Sequence, residues 1–384
     1  MPLPPTPAES ALPRTPLIRW HLAYGTFGVP QAAGPIAFAL IALPLTGDPN
    51  SGAAIVLAMT IAQVIGAVPV ARLGRDRNAV AYLRLLVGIR MLALAAIAGL
   101  AAAKAPFAWL LVAAALGGLV NGAAFGYLRA VLNHLVVPAQ LPRALGIAAT
   151  LSEFTFVAAP VLASVLGTLD PVFALLALGL LGTAPMLLVP HVPTAQALPP
   201  PAGHSSSLLR PQILLWLGCT MANSAVVSSI EIGAVSLALD YGFPPAMGFI
   251  FTVALCAASV AGGVWVSVRN RMPPQSHVVV YLALMTSGAG VIAAQLSVAA
   301  TLAGAVVVGC VMAPLSTYYA LRLDALSPPH RKPELFALSR TANAGGIILT
   351  SAALSLTSLG ATQAIATALI LAAAVAVALA SRRN

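Results

Sequence analysis

Residues 364–380, AIATALILAAAVAVALA, form an uncharged run of seventeen residues in which Thr367 is the one polar side chain. A helix that crosses a bilayer needs about 20 predominantly apolar residues, and with its flanks the run reaches that length. A membrane β-strand would alternate apolar and polar residues over roughly ten positions, whereas this run is continuously apolar. The segment therefore reads as a membrane helix, and eleven further runs of the same kind can be traced from it through the chain. Punctuation by Pro, Gly, Asp and Arg places the spans at 18–43, 51–71, 79–102, 106–129, 142–166, 171–189, 211–238, 244–268, 276–296, 299–323, 334–357 and 360–381.

Composition agrees with this reading. The 384 residues are 60 % hydrophobic and 7 % charged, where soluble domains carry roughly 25 % charged residues. An ordinary soluble enzyme is excluded. Twelve spans with short loops use up the length and leave no sizeable soluble domain.

Six spans precede the stretch 190–210, PHVPTAQALPPPAGHSSSLLR, and six follow it. This Pro/Ser-rich stretch is unsuited to a membrane and reads as an inter-domain linker. It separates an N-terminal six-helix bundle, 18–189, from a C-terminal one, 211–384. Residues 1–17 lack the order of a cleavable signal and read as a disordered tail.

The formal charge is +10, but the positive residues fall between apolar runs and do not cluster on a soluble face as in nucleic-acid binders. With a cytoplasmic N-terminus, the inner segments and inner helix ends hold Arg14, Arg19, Arg72, Arg75, Arg77, Arg84, Arg129, Arg143, Arg210, Arg269, Arg271, Arg322, Arg331, Lys332, Arg340, Arg382 and Arg383. Lys104 alone lies in an outer loop, and Arg90 falls within a span. This bias predicts that both termini are cytoplasmic. Cys219, Cys256 and Cys310 lie in apolar runs without metal-ligand spacing and read as packing residues.

A shift of 193 residues places Leu128-Arg129 on Leu321-Arg322 and Ala144-Leu145 on Ala337-Leu338. Parallel six-helix halves of this kind build a large class of secondary transporters. Together with the long middle loop and the basic turn Ala71-Arg72-Leu73-Gly74-Arg75-Asp76-Arg77, the pattern resembles the major facilitator superfamily over nearly the whole chain. The fourth span is similar to that family's Arg-x-x-Gln-Gly pattern around Asn121-Gly122, with Gly118 where Arg is expected. The fifth resembles its Gly-Pro-x-x-Gly-Gly element at Ala159-Pro160-Val161-Leu162-Ala163-Ser164, keeping the Pro. Glu153…Pro160 and Glu231…Gly233 are similar to compact bacterial efflux-type members. The resemblance implies an all-α polytopic fold of twelve helices in two pseudo-symmetric bundles. It also implies a central cavity lined by the first, fourth, seventh and tenth spans, with Tyr24, Gln31, Asn121, Asn223, Ser228, Tyr318, Tyr319 and Asn343 as candidate substrate contacts.

A charge at the bilayer centre costs about 2.5–3.5 kcal/mol on insertion scales, so such residues face a cavity or a partner. Glu153 and Arg90 each lie eleven residues inside their spans, about 16 Å deep at 1.5 Å per residue. Equal depth permits an Arg90–Glu153 ion pair. Without one, Glu153 becomes a candidate proton-coupling carboxylate, because burial favours the protonated form and a nearby Arg opposes it. Arg90 is then free as an anion contact. Glu231, twenty residues into its span, falls near the outer surface, as a second proton-coupling carboxylate or as an interfacial group. The stripe Asn223-Ser224-Ala225-Val226-Val227-Ser228-Ser229 leads to it, as cavity lining or as interhelical hydrogen bonding. Arg129 and Arg322 at inner helix ends set topology, or pair with Asp76 and Asp324 in a cytoplasmic gate with Arg72 and Arg77. Pro30, Pro35, Pro160 and Pro314 would loosen their helices.

There is no GxxxxGK[ST] loop, HExxH, GxSxG or acidic metal cluster, and no filter motif. The sequence thus predicts a non-enzymatic, cofactor-free and metal-free secondary transporter in the bacterial plasma (inner) membrane. It is expected to act as a monomer on a small molecule with protons in a lipid bilayer, without nucleic acid. Proton-coupled efflux of an amphipathic or hydrophobic compound is the first reading, because proton and substrate could compete at Glu153. Proton-coupled uptake of a small nutrient or organic anion is the second. A non-transporting membrane protein or lipid scramblase is the alternative of another class.

Overall fold

The computed structural model describes residues 14–47, 51–191, 210–243, 245–328 and 331–381. Most of the expected tail and linker, together with Arg382 and Arg383, lie outside the described residues. The described chain is helical, without strands: α1 Arg14–Thr46, α2 Ser51–Leu73, α3 Ala79–Ala102, α4 Phe107–Leu135, α5 Leu141–Leu169, α6 Pro171–Leu181, a short α7 Pro185–Leu188, α8 Pro211–Asp240, α9 Phe249–Arg269, α10 Gln275–Ala294, α11 Val298–Leu326, α12 Lys332–Leu356 and α13 Leu359–Ser381. α6 and α7 together make the sixth span.

Local chemistry sets the ends. Asn78, Asp170 and Ser297 cap α3, α6 and α11, accepting hydrogen bonds from otherwise unpaired amides such as Val80 N at 3.0 Å and Ala300 N at 3.1 Å. Asn270 and Gln295 close α9 and α10 in the left-handed region, with φ of 44° and 48°.

Eleven helical segments are long and apolar enough to cross a bilayer, which makes this a multi-pass membrane protein. The helix outside that set is α12, which carries Lys332, Glu334, Arg340 and Asn343. Its position explains the polarity, because α12 packs on α8 within its own bundle and on α4 and α2 of the other. Leu92, Trp109, Phe154, Val161 and Val268 point outward as part of an exposed apolar surface.

Within a bilayer, helices associate through close packing of small residues. Gly118 of α4 lies so close to the Met59 carbonyl of α2 that a Cβ there would meet main chain. This is the physical reason that the position cannot hold the family's Arg.

α1–α7 form one bundle and α8–α13 the other, and they meet through α5 on α9 and α11 and through α2 and α4 on α12. The contacts between them gather at the end that carries Arg72, Arg75, Arg143 and Arg331, here called the basic end. Leu321 and Ala337 of the second bundle join the core built around Trp20, Tyr127 and Leu145 of the first. Toward the opposite end the first bundle's core, around Phe38, Ile97 and Leu175, contains residues of that bundle alone.

Candidate functional site

Above the closed basic end lies a cavity of about 260 Å³ between the bundles. Each lining helix contributes one face at helical spacing: Phe125 and Arg129 on α4; Leu145, Ser152, Glu153 and Phe156 on α5; Thr220, Asn223, Ser228 and Glu231 on α8; Phe336, Arg340, Asn343 and Ile347 on α12. Tyr24 of α1 and Ser316, Thr317 and Tyr319 of α11 complete the wall.

Glu153 and Glu231 face the same cavity, one from each bundle, and each lies within the other's electrostatic field. Among the described residues neither has a Lys or Arg within ion-pair distance. Glu231 is exposed, whereas Glu153 is half-buried. Of the polar stripe of α8, Asn223, Ser224 and Ser228 line the cavity, Ser224 also donating to the Asn343 carbonyl at 2.8 Å, whereas Ser229 donates to the Val226 carbonyl of its own helix at 2.7 Å.

Arg90 does not pair with Glu153, which corrects that expectation. Its guanidinium, 2 % exposed, donates to the Phe27 carbonyl at 3.1 Å, Asn121 Oδ1 at 3.0 Å and the Gly182 carbonyl at 2.6 Å, and lies 4.2 Å from the centre of the Phe27 ring. Equal depth was compatible with an ion pair, but α3 turns this face toward α1, α4 and the break between α6 and α7. Three main-chain and amide acceptors satisfy the cation there. Asn121 in turn donates to Gln31 at 3.3 Å and to Gln63, and Arg340 donates to Gln31. Gln31 and Asn121 are thus tied up outside the cavity wall. Tyr318 also turns away from the cavity; it packs edge-on to Trp216 and accepts from Arg322 at 2.8 Å.

The closed end is built differently from the expected gate. Glu334, buried at the start of α12, accepts hydrogen bonds from Arg72 at 3.1 Å, from Arg331 at 2.9 Å and from Arg75. The anion that gathers arginines of both bundles at this end is therefore Glu334; among the described residues no ion pair joins Asp76 to Arg129 or Arg322, and Asp324 lies in the field of Arg129 without reaching ion-pair distance. Asp324 pairs with Lys332 at 3.1 Å and accepts from Asn133 of the other bundle. Arg143 N donates to Asn270 Oδ1 at 2.9 Å, which joins the start of α5 to the end of α9. Arg77 stacks on Tyr82 of its own bundle, 5.7 Å from the ring centre.

Arg129 is not at a helix end, because α4 continues to Leu135. It is buried and lies 4.6 Å from the centre of the Phe336 ring. Arg322, its partner in the internal repeat, stacks on its own helix's Tyr318, so the repeat places the two arginines in different roles.

Two bundles of this build around one central cavity match the Major Facilitator Superfamily, whose sequence model covers residues 22–351. The chain belongs to this superfamily. It is a transporter and not an enzyme. No curated protein matches the chain by sequence. Its superfamily fold is shared with a bacterial homologue of the iron transporter ferroportin in an outward-facing state, at TM-score 0.79 and 17 % identity, covering 96 % of this chain and 99 % of that one. It is shared with the human organic anion transporter TETRAN at TM-score 0.71 and 15 % identity, covering 97 % and 100 %. A third, the E. coli fucose:proton symporter, has TM-score 0.69 and 13 % identity, covering 94 % and 98 %. At these identities the likeness is one of fold.

Of the substrate contacts that the superfamily resemblance implied, Tyr24, Asn223, Ser228, Tyr319 and Asn343 line the cavity, and Gln31, Asn121 and Tyr318 do not. Sequence reasoning missed Arg340, Phe125 and Phe336 as lining residues and Glu334 as the anion at the closed end. A signal for the first was present, since Phe336, Arg340, Asn343 and Ile347 recur at spacings of four, three and four along the least apolar helix.

Proposed function

We propose that this superfamily transporter exports an amphipathic or hydrophobic small molecule in exchange for protons, by alternating access between its bundles, 18–189 and 211–384. The observation that carries the proposal is that Glu153 and Glu231 line one cavity without a cationic partner at ion-pair distance. Carboxylates kept free of cations in such a cavity can take up and release protons, and a substrate whose hydrogen-bond donors or positive end seeks the same oxygens competes with those protons. The positive-inside bias of the basic segments supports a cytoplasmic position for the closed basic end, in the bacterial plasma (inner) membrane of this reading. In this arrangement the cavity is closed to the cytoplasm, so the glutamates load protons from outside. Rocking of the bundles would then release the protons inward and admit substrate. The cycle needs one copy of the chain in a lipid bilayer, and the exposed apolar side chains suit acyl chains.

The second reading, proton-coupled uptake of a small nutrient or organic anion, is favoured by one specific observation. Arg129 and Arg340 both reach the cavity, and protonated glutamates would leave it net positive.

Proton release on adding candidate compounds to the purified protein tests the choice. Exchange predicts a substrate-triggered release that Glu153→Gln and Glu231→Gln diminish or abolish. Binding without proton release, equal in wild type and both variants, would overturn it.

A further inference from the structure

Two guanidiniums stand in the cavity, one from each bundle, and neither has a carboxylate within ion-pair distance among the described residues. Arg129, 3 % exposed, donates to Asn133 at 3.3 Å and lies on the Phe336 ring, and its Nη2 has no hydrogen-bond partner. Arg340 donates to Gln31 and lies 5.1 Å from the centre of the Phe125 ring. Phe125 and Arg129 are one turn apart on α4, as are Phe336 and Arg340 on α12, so each cation lies over a ring one turn from the other cation's own position on its helix. Tyr24 stands in the field of both.

Other orphaned polar atoms face the same space. Tyr319 OH, Thr317 Oγ1 and Asn223 Oδ1 belong to buried lining residues and have no partner. Arginine stays charged and presents a planar fork of donors that fits oxyanions. Asp324 lies in the field of Arg129, bridged to it by Asn133, but is outside ion-pair distance, and Arg340 has no carboxylate that close among the described residues; two desolvated cations so weakly compensated are costly unless an anion joins them. The ring faces supply only part of that compensation, and Phe125, Phe156, Phe336 and Ile347 offer an apolar wall beside them.

We propose that Arg129 and Arg340 form a two-armed oxyanion subsite, one arm from each bundle, that binds the carboxylate or phosphate-type end of a substrate whose apolar body lies on the phenylalanines. The substrate of the exchange is then an acidic amphipath, with Glu153 and Glu231 acting on the part of it farther from the arginines. This rests on reading the cavity as the transport site. Arg129 and Arg340 also link substrate to conformation, because the anion would bridge the bundles at the closed end.

A charge-matched probe series tests it: 1-naphthylacetate, 1-naphthylmethylamine, 1-naphthylalanine and neutral 1-methylnaphthalene, titrated calorimetrically into the purified protein. The expected result is that 1-naphthylacetate and 1-naphthylalanine bind at least tenfold more tightly than 1-methylnaphthalene. Arg129→Gln and Arg340→Gln should each remove that advantage, while Arg→Lys at either position keeps part of it. The wild-type comparison stands even where a variant does not fold. Equal binding of the acid and the neutral hydrocarbon overturns the subsite, as does binding of neither acid, or an acid preference that survives both Gln variants in folded protein. Proton release separates the two readings: arginine-dependent acid binding without proton release keeps the subsite and removes the exchange, and proton release by 1-naphthylmethylamine alone does the reverse.

Discussion

The guanidinium of Arg129 lies 4.6 Å from the centre of the Phe336 ring in the opposite bundle. The relation is repeated with the helices exchanged, Arg340 lying on Phe125 at 5.1 Å. The two stacks close the cavity floor, and both exist only while α4 and α12 are packed together. Phe336→Ala removes one of them, worth about 0.5–2 kcal/mol for a cation over a ring, from the basic-closed state alone. Spin labels on cysteines replacing the exposed Arg77 and Arg271, one per bundle, should then show a longer-distance population that is minor in the parent.

Glu334 holds three arginines while its own side chain is 3 % exposed. Because Arg72 and Arg75 are partly solvated, their attraction is screened, and the buried carboxylate carries most of the specificity. Glu334→Gln should shift the equilibrium toward an open basic end by about tenfold, equivalent to roughly 1.4 kcal/mol. The same label pair reads the shift, and an unchanged distance distribution would show that the gate is held elsewhere.

Glycines separate gate packing from bundle packing. A Cβ at Gly126 would meet the Pro333 main chain, and one at Gly146 would meet Ser267 and Gly263, all across the bundle interface. A Cβ at Gly118 would meet Met59 inside one bundle. Overpacking costs about 1–3 kcal/mol. Gly118→Ala should therefore lower the melting temperature, whereas Gly146→Ala should leave the bundles folded and open the basic end.

Arg90 stitches α1, α4 and the α6–α7 break through two carbonyls and an amide. Arg90→Met leaves the Phe27 and Gly182 carbonyls without this donor, a penalty of about 1–3 kcal/mol for each buried group. Thermal unfolding should fall by several degrees or the yield should collapse. Arg90→Lys should rescue little, since a single ammonium cannot reproduce the fork.

The span limits were legible because bilayer thickness acts directly on residue count. The expected 79–102 coincides with α3, and the expected 106–129 ends six residues short of α4. That shortfall moved Arg129 in the reading to a helix end when it lies within the helix. Arg340 reads as a topology residue from its place near the start of the eleventh span, yet eight residues beyond Lys332 it lies about 12 Å along α12 and reaches the cavity.

The sequence alone determined a chain of apolar helices, two six-span halves, the basic punctuation and a glutamate deep in the fifth span, because hydrophobic length and charge are summed along the chain and need no partner. Only the tertiary structure decided that Arg90 bonds to carbonyls and not to Glu153, that Glu334 gathers Arg72, Arg75 and Arg331 at the closed end and that Arg129 and Arg340 face one cavity. Those facts depend on which face each helix turns to another bundle, and that rotation is set by close packing such as Gly118 on Met59 and Gly126 on Pro333, between residues far apart in sequence.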